Sequence, residues 1–217
     1  MTGVEQPPIV ARAREFIIID KPAGLAVHAG RTGGPSVEDF WQRWRKGRQG
    51  PWLAHRLDRD TAGCLVIALK KTFLLQAQAA FAAGAVQKTY WAVVQGVPGE
   101  AEGVIDAPLL KLSEERAWKM VVDPAGQTAV TSWRVLGTGS GKALVEFCPQ
   151  TGRTHQIRAH AALLGHPILG DAVYGGGNGP MQLLARSILL STDPPAAATA
   201  PVPAHMRENV EACGYAG

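Results

Sequence analysis

Cysteine is scarce in this chain. There are three, Cys64, Cys148 and Cys213, an odd number with no CxxC pair among them. That pattern excludes a disulfide framework and a cysteine-built zinc site. Cys64 and Cys148 lie in apolar runs and are expected to be inert core thiols. Long hydrophobic runs are also missing. No apolar stretch reaches the roughly 18 uncharged residues a membrane helix needs, and Met1 to Pro8 do not read as a signal peptide. A soluble, cytoplasmic protein with no membrane partner is expected. Charge of one sign is only slightly in excess, with a net +4 and a pI near 9.1. This weak basic bias is compatible with a polyanionic partner and proves none. No internal repeat is visible. The glycines at 175, 176, 177 and 179 follow no strand of the kind a dinucleotide loop requires.

Of the 217 residues, 46% are hydrophobic, enough to bury a full core. Phe16 to Ile19 is a β-branched run and predicts a strand. Lys21-Pro22-Ala23-Gly24 is turn chemistry, with Leu25 to Val27 as the next short strand. Val37 to Trp44 predicts a helix capped by Ser36 and broken between Gly47 and Gly50. Leu65 to Leu69 predicts a strand. Lys70 to Ala83 is the clearest helix. Leu74, Gln78 and Phe81 share one face, Leu75, Ala79 and Ala82 another, and Gly84 suits its end. Strands follow at Tyr90 to Val94, Met120 to Val122, Val130 to Leu136 and Leu144 to Phe147. Thr154 to Leu164 predicts a helix with Ile157, Ala161 and Leu164 inward. Ala196 to Pro203 is Ala/Pro-rich and reads as irregular. Strands outnumber helices without regular alternation. The expected class is α+β, with a largely antiparallel mixed sheet flanked by helices. The expected organisation is a loose arm at 1–14, one domain at 15–205 and a tail at 206–217.

Three segments could carry chemistry. In His55-Arg56-Leu57-Asp58-Arg59-Asp60-Thr61-Ala62-Gly63, a carboxylate sits among cations on a loop feeding an apolar run. The arginines favour its ionised form, which a nucleophile needs. In Lys88-Thr89-Tyr90-Trp91-Ala92, the ring of Tyr90 could stack on a base. In Gly152-Arg153-Thr154-His155-Gln156-Ile157-Arg158-Ala159-His160, Thr154 could cap a helix whose N–H groups and arginines would suit an anion. His155 and Arg158 share a face away from the apolar one and are expected to point into a cleft. His155 and His160 are five apart, so they do not form a helical zinc pair. Each segment also has a plain structural reading: an Arg–Asp surface loop, a half-buried tyrosine, or a solvated helix face.

These segments, in this order, resemble the RluA-like pseudouridine synthases. That family carries a His-Arg-Leu-Asp motif, a Lys-x-Tyr strand, a Gly-Arg-Thr-His-Gln-Ile-Arg block and a His-Pro-Ile-x-Gly-Asp segment, matched here from His166 to Asp171. Lys21-Pro22-Ala23-Gly24 resembles its opening. The resemblance runs from about Phe16 to about Pro203. It implies a single pseudouridine-synthase-like domain with a central catalytic cleft, a catalytic domain alone. It implies that Asp58 is the nucleophile, that Tyr90 lies against the target base and that Arg158, with Arg153 as second choice, pairs with Asp58. It also implies RNA contacts from His55, Arg56, Lys88, Arg153, His155 and Gln156. Whether Asp58 attacks C1′, adds at C6 or removes the 2′ proton stays open. RNA, rRNA or tRNA, is the implied partner. No cofactor and no metal are expected, and a monomer is the default. The His166–Asp171 segment is expected to be structural. Two positions depart from the family pattern: Ala62 stands where serine is usual, and Leu184 where histidine is usual. Two alternatives belong to other classes. One is a non-catalytic RNA-binding module on the same fold. The other is a glycoside hydrolase, which needs two carboxylates across a cleft; Asp60 in the same loop is poorly placed to be the second.

Overall fold

The computed structural model describes residues 5–30, 33–45, 49–113 and 118–215. In chain order the elements are β1 (Ile9–Arg12), β2 (Phe16–Lys21), a 3-10 turn at Val37–Phe40 running into α1 (Trp41–Trp44), β3 (Trp52–Leu53), β4 (Ala62–Ala68), α2 (Lys71–Ala82), β5 (Val86–Gln95), β6 (Glu102–Asp106), β7 (Leu109–Ser113), β8 (Trp118–Val122), β9 (Val130–Gly139), β10 (Lys142–Pro149), α3 (Gln156–Leu163), β11 (Leu183–Leu190), β12 (Ala196–Thr199) and α4 (Ala204–Ala212). The class is α+β with a mostly antiparallel sheet. Two compact units are present, Met1–Lys88 with Ala185–Pro201, and Thr89–Leu184 with Val202–Gly217. The chain passes from one to the other inside β5, inside β11 and again after Pro201.

In the first unit the strand order is β1-β2-β4-β11, with β3 on β4 and β12 on β11. All seven residues of β4 are buried, as a continuous apolar run flanked on both sides should be. Antiparallel pairing sets Ile17 opposite Ile67 and Ile19 opposite Leu65. Full burial of such a side chain stabilises by about 1.5–3 kcal/mol. Helix α2 packs against β3 and β4. Its inward residues are Phe73 and Ala77, one turn apart, and Phe73 stacks on Phe16 at 4.8 Å. Of the two expected faces, Leu74 and Phe81 are half-buried, while Leu75 is 56% exposed.

Several expectations change. Ile9–Arg12, within the foreseen loose arm, pairs with β2; residues 1–4 lie outside the described residues, as does Gly47. Leu25 to Val27 forms no strand, only a bridge from Ala26 to Ser36. The stretch at 196–203, expected to be irregular, begins with β12, whose alanines pair with β11. Part of the foreseen C-terminal tail is α4, with Met206 and Val210 buried four residues apart.

In the second unit the order is β5-β10-β9-β6, all antiparallel, with β7 and β8 forming a separate two-stranded sheet. The core gathers Val94, Val145, Phe147, Ile157, Ala161 and Ile168. Helix α3 starts later than expected. Its N-cap is His155, in the left-handed region at φ 53°, not Thr154. From Gln156 to Ala161 every residue of α3 is buried, so its polar residues face the protein rather than one solvated side.

Candidate active site

Asp58 lies in the connection between β3 and β4. Ala54 N–H continues the β3 ladder to Val66 O at 3.1 Å, and Leu57 is buried. His55 closes the base of the loop: Val66 N–H donates to its Nε2 at 3.0 Å. An accepting Nε2 requires a neutral ring. Burial drives the His55 pKa down to about 4, against a hydrogen bond to the Arg56 backbone that favours the charged form. His55 also packs on Phe81 at 5.0 Å. Beyond it the chain turns, with Thr61 N–H donating to Asp58 O at 3.2 Å.

Lys21 holds this turn. The side chain is fully buried, and its ammonium donates to Pro22 O at 2.9 Å, Leu25 O at 2.8 Å and Arg59 O at 2.8 Å. Three donors meet three carbonyls, the full capacity of an ammonium. Arg59 returns the contact through Nε to Gly24 O at 2.9 Å, while Gly24 N–H donates to Arg59 O at 2.9 Å. Gly24 has φ 84°, a conformation glycine adopts without strain. The Lys-Pro-Ala-Gly turn and the Asp58 turn are thus joined backbone to backbone. Burial pushes the Lys21 pKa down to about 7, against the pull of Asp60, Asp58 and Asp20. The sequence flagged this turn without its role, because the partner that ties it to the Asp58 turn, Arg59 O, is a main-chain atom 38 residues away.

Tyr90 and Arg158 belong to the second unit. Tyr90 lies on β5 opposite Phe147, half-buried at the edge of the core. Arg158, on α3, is buried and forms a two-pronged ion pair with Asp171, Nε to Oδ2 at 2.7 Å and Nη2 to Oδ1 at 2.8 Å. Burial alone would raise the Asp171 pKa. The Arg158 hydrogen bonds and charge, with N–H donors from Val173 and Tyr174, outweigh it and lower the value. The arginine also lies 5.3 Å from the Tyr174 ring centroid, a cation–π geometry. Asp171 belongs to the segment expected to be structural. Its partnership with Arg158 is the feature sequence reading missed, and the His-Pro-Ile-x-Gly-Asp match was its only signal.

Other expected RNA contacts take varied places. Arg56 is exposed. Lys88 is half-buried, and burial lowers its pKa. Arg153 donates from Nε to Thr128 O at 2.9 Å. His155 Nδ1 lies 3.2 Å from the Tyr174 hydroxyl. Gln156 is buried instead of RNA-facing. Its oxygen accepts from Thr151 Oγ1 and Arg153 N, and its nitrogen donates to Val130 O and Thr131 Oγ1. Four bonds exhaust a primary amide. His160 is likewise buried, between Thr131 Oγ1 and Ala107 O. Among the described residues, no group of three or more His, Cys, Asp or Glu could hold a metal ion. No helix among them is long and apolar enough to cross a membrane.

The family described as RNA pseudouridylate synthase matches residues 15–163. An uncharacterised RNA pseudouridine synthase of Zymomonas mobilis is 46% identical over 182 residues, 77% of this chain and 80% of that one. Ribosomal large subunit pseudouridine synthase C of Buchnera aphidicola is 38% identical, over 74% of this chain and 51% of its own length, so the chain spans about half of that relative. Human RNA pseudouridylate synthase domain containing 4 superposes with a TM-score of 0.80 at 27% identity, over 95% of this chain and 92% of that one. With fold, motifs and relatives in agreement, the chain belongs to the RNA pseudouridylate synthase family and is an isomerase.

Proposed function

We propose that this chain converts uridine to pseudouridine in large-subunit ribosomal RNA, with Asp58 as nucleophile, Tyr90 against the base and Arg158 beside the Asp58 carboxylate. One observation carries the reading: a single family match, over residues 15–163, takes in all three residues. The rigid seat of the Asp58 turn on Lys21 supports it, since a nucleophile must be held in place to act. The rRNA assignment is supported by relatives named ribosomal large subunit pseudouridine synthase C and D. A cytoplasmic location fits that substrate.

In the reaction the N1–C1′ bond breaks, the uracil turns over, and a C5–C1′ bond forms. The C5 proton leaves and N1 gains one. Asp58 acts on the nucleoside through its carboxylate, and Arg158 orients it. Tyr90 stacks on the base and takes the C5 proton. Arg56 fills the gap left by the flipped uridine. Flipping costs a few kcal/mol in a duplex and less in a loop, which favours a loop uridine.

The test is carbodiimide mapping of pseudouridine across total RNA from cells with and without the gene. Loss of one or a few large-subunit sites is the expected result. Loss confined to tRNA would move the substrate. If no site is lost and the purified chain is inactive on unmodified transcripts, the catalytic reading falls and a binding module replaces it.

A further inference from the structure

Asp171 faces Arg158 edge-on, and both groups are buried. A fork of this kind fixes the plane of the guanidinium as well as its distance. The same carboxylate does a second job: its Oδ1 accepts Val173 N–H at 2.9 Å and Tyr174 N–H at 3.2 Å. It thereby shapes the turn that carries Tyr174. Gly170, just before it, has φ 79°, and a Cβ there would meet Pro180 O at 2.4 Å, so only glycine leads into this turn.

The Tyr174 ring lies against the Arg158 guanidinium. Its hydroxyl accepts Met120 N–H of β8 at 2.9 Å and lies 3.2 Å from His155 Nδ1. His155 meets the tyrosine edge-on at 5.7 Å, from a left-handed backbone that a residue other than glycine adopts at a cost. The β7–β8 hairpin is a two-stranded sheet, too small to be stable alone. Its buried Leu109 and Met120 pack with Ala159 of α3, and Tyr174 lies against that cluster. The hairpin exposes Lys111, Leu112 and Lys119, a cationic and apolar surface suited to phosphate and sugar.

We propose that Asp171 and Tyr174 are positioning residues for the isomerisation: Asp171 sets the plane of the Arg158 guanidinium, and the Tyr174 hydroxyl ties that arginine to an RNA-contacting β7–β8 hairpin. The inference rests on the reading of Arg158 as a site residue. Tyr174 then links where the RNA is held to where the arginine points.

Steady-state kinetics of the full chain on an unmodified large-subunit rRNA transcript test this, with rates normalised to the folded fraction from circular dichroism. Asp171→Asn is expected to lose about 10–100-fold in kcat with KM within about threefold, the effect of a misplaced group. Asp171→Glu keeps the charge and recovers most of that loss. Tyr174→Phe keeps the ring and drops the hydroxyl; its KM rises roughly three- to tenfold while kcat stays within about twofold, a change in binding alone. A merely structural role predicts no recovery in Asp171→Glu and no rise in KM for Tyr174→Phe, and that result overturns the proposal. Arg158→Ala separates the two readings. If it keeps the full rate, the Arg158 assignment fails, and this inference with it. If it is inactive while Asp171→Asn retains wild-type kcat, only the positioning proposal fails. Should Asp171→Asn not fold, Tyr174→Phe decides: a higher KM at constant kcat supports the link, and an unchanged KM overturns it.

Discussion

The Asp58 turn and the Arg158 helix are held in opposite ways. Asp58 sits on a turn gripped through its backbone. A buried ammonium, Lys21, takes Arg59 O, Pro22 O and Leu25 O. Arg158 is gripped through its side chain, by the buried carboxylate of Asp171. Backbone clamping fixes a loop through its main-chain atoms. Side-chain clamping commits one edge of a guanidinium and thereby aims the rest. The roles proposed for Asp58 and Arg158, a nucleophile and an orienting charge, match this division.

The largest stability effect expected is from breaking the side-chain clamp. Asp171→Ala leaves a buried arginine without its carboxylate, which should cost about 3–5 kcal/mol. Urea unfolding would read this as a lower midpoint at unchanged slope. Breaking the backbone clamp comes next. Lys21→Met removes the donor to three carbonyls, and with part of that loss made up by water the expected cost is roughly 3 kcal/mol. A Lys21→Met chain as stable as the wild type would show that the turn holds itself.

Acid sharpens the comparison through histidines. Burial holds both His55, in the first unit, and His160, in the second, below the usual histidine value. The unfolded chain then binds protons that the folded one refuses, so stability falls as pH falls. For His55 the loss begins near 6.5 and runs to about 4. Thermal midpoints should decline as pH falls from about 6.5 to about 4, with a shallower decline in His55→Gln. The smallest effect belongs to the Arg134–Glu146 pair, 2.7 Å apart, whose arginine is exposed and whose half-buried glutamate keeps a second donor in Trp91 Nε1. Arg134→Ala should leave the unfolding midpoint unchanged, since screened surface pairs contribute little.

Most of the frame was legible because its signals are local. The run from Leu65 to Leu69 reads as a strand from its composition alone and overlaps β4, and Gly84 ends α2 at φ 67°, as its position suggests. Asp58 stood out because cations and a turn surround it within nine residues of sequence. What escaped depends on partners far along the chain. Gln156 and His160 look like a solvated face until Thr131, 25 and 29 residues away, supplies their hydrogen bonds. Periodicity marks where apolar side chains point and is silent on buried polar ones. Strands β11 and β12 were missed for a similar reason, since alanines at 196–198 form a strand only because β11 offers them a ladder. Asp171 was visible as a motif and invisible as the partner of Arg158.

The most direct test is primer-extension mapping of carbodiimide adducts on unmodified large-subunit rRNA treated with purified wild-type or Asp58→Ala chain, alongside filter-binding of the same RNA. The account predicts one or a few new stops with wild type, none with Asp58→Ala, and affinities within about a few-fold of each other, as for a residue that acts in the transition state and not in binding. No stop with the wild-type chain, or an Asp58→Ala chain keeping about a tenth of the wild-type rate, would contradict it, since loss of a nucleophile costs far more.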